Sequence, residues 1–142
     1  MLQETAATLA AIMNSPEALR VIRVALFESF IIHARTLLDC LYAQTSPPPK
    51  PDDIIAEDYF NDSTIWDKRR PPKTPLLTTV HKRAGKEVVH LTYARLTVVP
   101  DQKGWRYLEI ADAIRSILAA FYQLVPRSKV GDTFRKSMEG PV

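Results

Sequence analysis

The sequence predicts an all-α fold, a helical bundle of three long or medium helices with short N-terminal and connecting helices. Apolar residues recur at helical spacing over long segments, and two of these segments begin with a capping residue followed by proline. The hydrophobic share of 46% is ordinary for a folded domain. At 142 residues, we expect one bundle domain over 1–125 and a flexible C-terminal tail over 126–142.

The longest predicted helix extends over about 16–44. Ser15-Pro16-Glu17 supplies a capping oxygen, a proline at the first helical position and an acid that complements the helix dipole. No helix breaker follows before the prolines that begin at Pro47. Because apolar residues cover more than half of its circumference, we expect a central helix with neighbours on several sides.

Shorter elements are expected on either side of this helix. A short amphipathic helix over 2–14 precedes it. After it, Asp52 or Asp53 is expected to cap a short helix that extends to Phe60. Residues 61–73 are predicted to form a loop that Trp66 anchors onto the core.

Two further helices are predicted in the C-terminal half. Thr74-Pro75 repeats the start signal, and the helix should continue to about Leu96. Residues 96–99, of which the last three are β-branched, are expected to be extended, and 100–104 have turn chemistry. The clearest helical periodicity covers 105–125. The buried face of the helix after Thr74 is predicted to consist of Leu77, Val80, Ala84, Val88 and Leu91.

The cysteine count and the apolar runs of the sequence predict the cellular compartment. Cys40 is the only cysteine, so no disulfide can form within the chain. The first residues lack the basic and apolar regions of a signal peptide, and no apolar run approaches the length of a membrane span. We therefore expect a cytoplasmic protein without a membrane segment.

Metal and cofactor sites are not expected. His81 and His90 lie nine residues apart, which at about 100° per residue places them on opposite sides of one helix. His33 and Cys40 lie on one stripe but about 10 Å apart, too far for direct proton transfer. His33 is expected to be a hydrogen-bonded structural histidine, and Cys40 a small buried residue.

One polar ridge could carry chemistry. With α-helical steps, Arg83, Lys86 and His90 share one face, and Lys82 flanks it. An imidazole can act as a general acid or base near neutral pH, and a guanidinium can hold a phosphate and stabilise developing charge. This pairing suits metal-independent cleavage of RNA through its own 2′-hydroxyl, with Arg83 and His90 catalytic and Lys82 and Lys86 binding the substrate.

The charge pattern allows two interpretations of this region. Seven basic residues and no acidic one occur over 68–86, which could form a phosphate-facing patch. They could equally face the acidic segment 51–62 or form a solvated surface. In that second interpretation Glu87 pairs with Arg83, and the protein is a non-catalytic helical module that binds another protein or a small ligand.

The arrangement of Arg83, six intervening residues and His90, on a late helix of a small all-α bundle, resembles the HEPN superfamily. The earlier helix with Ile32-His33-Ala34-Arg35 is also similar to HEPN-like proteins. Ala84 departs from the family pattern, which frequently has a polar residue directly after the arginine. The resemblance implies a metal-independent endoribonuclease or a non-catalytic relative. It also implies a homodimer with the two motifs facing each other, and an antitoxin-type protein partner.

Overall fold

The computed structural model describes residues 2–13, 20–43, 49–89, 93 and 104–139. All regular structure within these ranges is helical, which confirms the predicted all-α class. A π-helix over Ala84–Val89 directly continues one α-helix, and the 3₁₀ helices are Ala56–Tyr59 and Arg127–Lys129. The α-helices are α1 (Leu2–Met13), α2 (Arg20–Leu41), α3 (Thr64–Arg69), α4 (Pro75–Arg83), α5 (Tyr107–Leu124) and α6 (Asp132–Glu139).

The chain divides into two compact units, each assembled from two separate stretches. The first unit comprises Met1–Leu38 and Thr74–Ile114, and the second comprises Asp39–Lys73 and Arg115–Val142. Neither unit is a continuous segment of the chain. The assignment of 1–125 to one domain stays a prediction.

The first unit has an aliphatic core that the helical periodicity largely indicates. Thr74 caps α4 as predicted, because its Oγ1 accepts a hydrogen bond of 3.3 Å from the Leu77 amide. The predicted buried face is confirmed at Leu77, Val80 and Ala84, Val88 is half-buried, and Leu91 lies outside the described residues. The other buried hydrophobic residues described in this unit are Ala6, Phe30, Ile31, Ala34, Leu38, Ile110, Ala111 and Ile114.

The second unit has an aromatic core centred on Trp66, which confirms the predicted anchor. Trp66 is fully buried, and its indole N–H donates to the Leu41 carbonyl at 2.9 Å. Its ring meets Phe121 edge to face at 5.3 Å between centroids. The loop predicted over 61–73 is wrong, because α3 occupies Thr64–Arg69. A six-residue helix is too short to show an apolar repeat, although Asp62, which accepts from the Thr64 amide at 2.9 Å, marks its start.

The segment after Pro126 contains α6, which its polar composition did not indicate. Phe134 on this helix contacts Phe121 and Tyr122, with ring centroids 6.4 and 5.9 Å apart. Phe134 therefore packs this mostly polar helix against the aromatic core of the second unit. The flexibility of 126–142 stays a prediction.

Several predicted boundaries fall outside the described residues. They include the start signal at 15–17, the extended run at 96–99 and the turn at 100–103. The end of α2 at Leu41 lies close to the predicted end of the long helix. In the part of the chain that the structure describes, no helix is long and apolar enough to cross a membrane.

Candidate functional site on the Arg83 helix

The predicted ridge lies where α4 continues as a π-helix. Arg83 is the last residue of α4, and Ala84–Val89 have π geometry. A π-helix forms i→i+5 hydrogen bonds and therefore has more residues per turn than an α-helix. The constant angular step that placed Arg83, Lys86 and His90 on one face does not apply over these residues. Short π segments occur frequently at functional sites.

Arg83 is held by a carboxylate on the next turn. Its Nε donates to Glu87 Oε1 at 2.7 Å, and its Nη2 donates to Glu87 Oε2 at 2.9 Å. Such a bidentate, charge-assisted pair is strong and restricts the orientation of the guanidinium. Both side chains are largely shielded, at 23% and 17% exposure. The pair that the non-catalytic interpretation requires is therefore present.

Arg83 also contacts Gly104 and Trp105. Arg83 Nη1 donates to the Gly104 carbonyl at 3.2 Å. The guanidinium carbon lies 4.2 Å from the centroid of the Trp105 ring, a cation–π contact. Trp105 in turn meets Phe27 of α2 at 5.9 Å. Sequence reasoning missed these partners, because more than 20 residues separate them from Arg83 and no local pattern links them.

These contacts limit the chemistry that Arg83 can perform. A guanidinium carries five N–H donors, and the bonds to Glu87 and Gly104 use one each on Nε, Nη1 and Nη2. One N–H on each terminal nitrogen remains beyond these three bonds. Arg83 can therefore add a phosphate oxygen to its contacts without breaking the ion pair, and Glu87 reduces its net positive potential.

Two of the other predicted site residues lie on either side of Arg83. Lys82 and Lys86 are both exposed, and His81 next to them is half-buried. His90 lies outside the described residues. The structure thus brings Lys82, Arg83 and Lys86 together on one short helical stretch, and the proximity of His90 to Arg83 stays a prediction.

A second guanidinium approaches this stretch from α2. Gly85 is buried, and a methyl group added at Gly85 would lie 3.4 Å from Cζ of Arg35 and closer still to Nη1. The Arg35 guanidinium therefore lies directly against the backbone of the π-helix, in space that any side chain at position 85 would occupy. Sequence reasoning did not connect Arg35 with Gly85.

The remaining candidates from the sequence behave as structural groups. His33 Nδ1 donates to the Ser29 carbonyl, with 2.6 Å between nitrogen and oxygen. Burial, with smaller contributions from the acidic groups of Glu57 and Asp58, raises the pKa of the half-buried Cys40 thiol to about 11. The described residues contain no cluster of three potential metal ligands.

The second unit contains a buried ion pair between the acidic segment and the basic run, two segments that one interpretation of the sequence expected to face each other. Glu57 is 2% exposed, and its Oε1 lies 3.6 Å from Nη1 of Arg70. Arg70 also binds Asp67 at 2.8 Å and lies over the Tyr42 ring at 5.4 Å. Burial raises the pKa of the Glu57 carboxyl, and the Arg70 charge opposes part of that rise. The acidic segment 51–62 and the basic run from Lys68 thus meet at this pair.

No protein-family model, curated protein or solved structure matches the chain.

Proposed function

We propose that the protein binds single-stranded RNA through the basic face around Arg83. The observation that carries the proposal is the concentration of positive charge on one short stretch. Exposed Lys82 and Lys86 flank Arg83, and Glu87 is the one carboxylate within residues 75–89. Lysine and arginine side chains that neutralise phosphates supply most of the affinity of such surfaces.

Trp105 gives this face a second feature that suits RNA. The Arg83 guanidinium lies over the Trp105 ring, and the ring is only half-buried. Unpaired bases stack on aromatic rings and on guanidinium planes, whereas bases within a duplex are covered by their neighbours. The combination favours a single-stranded substrate over double-stranded nucleic acid.

We further propose that the protein cleaves the RNA that it binds, as the HEPN resemblance implies. In that reaction His90 transfers protons to and from the 2′-hydroxyl and the leaving oxygen, and Arg83 holds the phosphate. The reaction needs no metal ion. The chemistry requires His90 to lie within reach of the phosphate that Arg83 binds.

The test is incubation of labelled single-stranded RNA with the purified protein in EDTA. We expect cleavage by the wild-type protein and none by His90→Ala, with the thermal midpoint almost unchanged. Arg83→Ala should weaken both binding and turnover. Cleavage that appears only with added metal, or a His90→Ala protein as active as wild type, contradicts the catalytic proposal.

The second candidate function is a non-catalytic interaction module, and the Arg83–Glu87 pair specifically favours it. The carboxylate of Glu87 occupies two donors of the guanidinium and so gives Arg83 a structural role that requires no phosphate. RNA binding without cleavage supports the non-catalytic form of the first proposal. If neither RNA binding nor RNA cleavage occurs, the results favour the non-catalytic interaction module.

We also propose that the chain forms a homodimer, the association that the HEPN resemblance implies. Helix α2 exposes large apolar side chains, with Ile22, Val24 and Ile32 each about half exposed, and a second copy could bury them. Light scattering at micromolar concentration should report twice the monomer mass. If the protein is a monomer at every concentration, it cannot form a site in which the motifs of two copies face each other. An antitoxin-type partner remains a further proposal from the same resemblance.

A further inference from the structure

We propose that the segment of residues 69–75 docks into a protein domain that has an aromatic-lined groove with acidic residues beside it. The proposal goes beyond RNA binding and does not depend on it. The segment reads Arg-Arg-Pro-Pro-Lys-Thr-Pro, so prolines occupy the third and sixth positions after Arg69. Segments with the spacing Pro-x-x-Pro bind aromatic-lined grooves in the polyproline II conformation.

The segment has this conformation between α3 and α4. The backbone angles are φ −62° and ψ 141° at Arg70, and φ −67° and ψ 157° at Thr74. Polyproline II has φ of about −75° and ψ of about +145°. Between these two residues, the rings of Pro71 and Pro72 fix φ, and Pro72 keeps Pro71 extended. The segment therefore has the conformation of a bound ligand in advance, which lowers the entropy cost of binding.

One edge of the segment is attached to the protein itself. Because polyproline II has three residues per turn, Arg70 and Lys73 lie on the same edge. Both lie over the Tyr42 ring, with the Arg70 guanidinium carbon 5.4 Å and the Lys73 ammonium nitrogen 5.2 Å from its centroid. The Tyr42 hydroxyl also donates to the Pro71 carbonyl at 3.0 Å. These contacts determine which side of the segment is turned to solvent.

The side away from Tyr42 is available to a partner. Pro72, Thr74 and Pro75 are exposed, and Pro71 is half-buried. Pro72 and Pro75 are three residues, one polyproline II turn, apart. Their rings therefore lie on one side of the segment, at the spacing with which such ligands enter an aromatic-lined groove.

The N-terminal end of the segment determines the charge that the partner needs. Arg69 is the last residue of α3, and it is exposed, as is Lys68 before it. Among the described residues, no carboxylate forms an ion pair with Arg69. A guanidinium forms bidentate, charge-assisted hydrogen bonds with carboxylates. Acidic residues at one end of the groove would therefore pair with Arg69 and fix the direction in which the segment binds.

A segment that only connects α3 to α4 does not need all of these residues. Thr74 caps α4 and Pro75 occupies its first turn, so the start of the helix accounts for both. Arg69 and Pro72 take no part in that cap. Substitutions at these two positions therefore separate a docking role from a connecting role.

The experiment titrates the unlabelled full chain into a purified, isotope-labelled SH3 domain, whose groove is aromatic and which is chosen for acidic residues beside it. The amide shifts of the domain report binding at the groove. The variants are Arg69→Gln and Pro72→Ala. The matched controls are Arg127→Gln and Pro51→Ala, because both residues are exposed and lie outside the segment.

We expect the wild-type chain to shift the groove amides and to saturate the domain. Arg69→Gln should weaken binding about tenfold, because charge-assisted hydrogen bonds are lost. Pro72→Ala should weaken it about fivefold, because the backbone is less restricted and one ring is missing from the groove. Both controls should bind like wild type, and the thermal midpoint of every variant should stay almost unchanged.

Three results would overturn the inference. The first is the absence of groove shifts at a chain concentration of about 1 mM. The second is wild-type affinity in both Arg69→Gln and Pro72→Ala. The third is an equal loss of affinity in Arg127→Gln and Arg69→Gln, because general charge attraction then accounts for the binding. The assay contains no RNA, so its result does not depend on whether the chain binds RNA.

Discussion

Removal of Arg70 should destabilise the protein strongly, because the carboxylate of Glu57 is buried beside it. Glu57 is 2% exposed and the Arg70 side chain 14%, with 3.6 Å between the nearest charged atoms. In Arg70→Met the buried carboxylate loses this cation, while methionine fills much of the vacated space. The variant thus isolates the electrostatic contribution from the packing contribution.

The magnitude follows from the burial of the pair. Loss of one partner from a buried ion pair costs about 3–5 kcal/mol. Arg70 is slightly exposed, so we expect a value near the lower limit, about 3 kcal/mol at pH 7. The exposed contact with Asp67 should add less than about 1 kcal/mol.

The loss should depend on pH in a definite direction. Burial raises the pKa of Glu57 above its ordinary value of 4.5, and Arg70 opposes the rise. Without Arg70 the folded-state pKa of Glu57 rises further. A group with a raised folded-state pKa contributes stability that is fully present below its unfolded pKa and is lost as the pH rises through the folded pKa. The defect of Arg70→Met should therefore be large at pH 7 and shrink towards pH 4.5.

The assay is urea unfolding followed by tryptophan fluorescence at pH 7 and pH 5. Each variant is compared with wild type at the same pH, and Glu57→Gln/Arg70→Met is included as the control without the buried charge. The double variant should recover much of the loss. A defect of less than about 1 kcal/mol at pH 7, or one of equal size at both pH values, would refute the reasoning.

Three further predictions concern packing, capping and reactivity. Trp66→Ala should cost about 3–5 kcal/mol in urea unfolding because a fully buried indole is removed, and a loss within error of zero would show that Trp66 does not anchor the second unit. Thr74→Ala should cost about 1 kcal/mol in the same assay because the amide at the start of α4 loses its acceptor; an unchanged midpoint would exclude a stabilising cap. Burial raises the pKa of Cys40 to about 11, so the reactive thiolate is scarce at pH 8 and iodoacetamide should modify the folded protein far more slowly than the urea-unfolded protein. Equal rates in the two states would contradict that shift.

The sequence predicted the helices whose signals are local and repeated. Helix α5 shows the apolar spacing of its core residues, and α4 begins at the threonine and proline that predicted it. Helix α3 and helix α6 were missed because short helices contain too few apolar residues to form a repeat. Each contributes an aromatic residue, Trp66 or Phe134, that contacts Phe121.

The candidate site was predicted only in part. Residues 82–86 stand out as basic from the sequence, and the pairing of Glu87 with Arg83 follows from their spacing. The sequence analysis used α-helical steps throughout this stretch and did not predict the change to π geometry at Ala84. The contacts of Arg83 with Trp105 and of Arg35 with Gly85 join distant parts of the chain, and only the folded structure brings them together.

The salt dependence of RNA binding tests the central claim most directly. If Lys82, Arg83 and Lys86 each contact a phosphate, log affinity for single-stranded RNA should fall against log salt with a slope of about −2.1. Lys82→Gln/Lys86→Gln should reduce that slope to about −0.7, because two of three contacts are lost. A wild-type slope shallower than about −0.7, fewer than one phosphate contact, would contradict the assignment of this face to RNA.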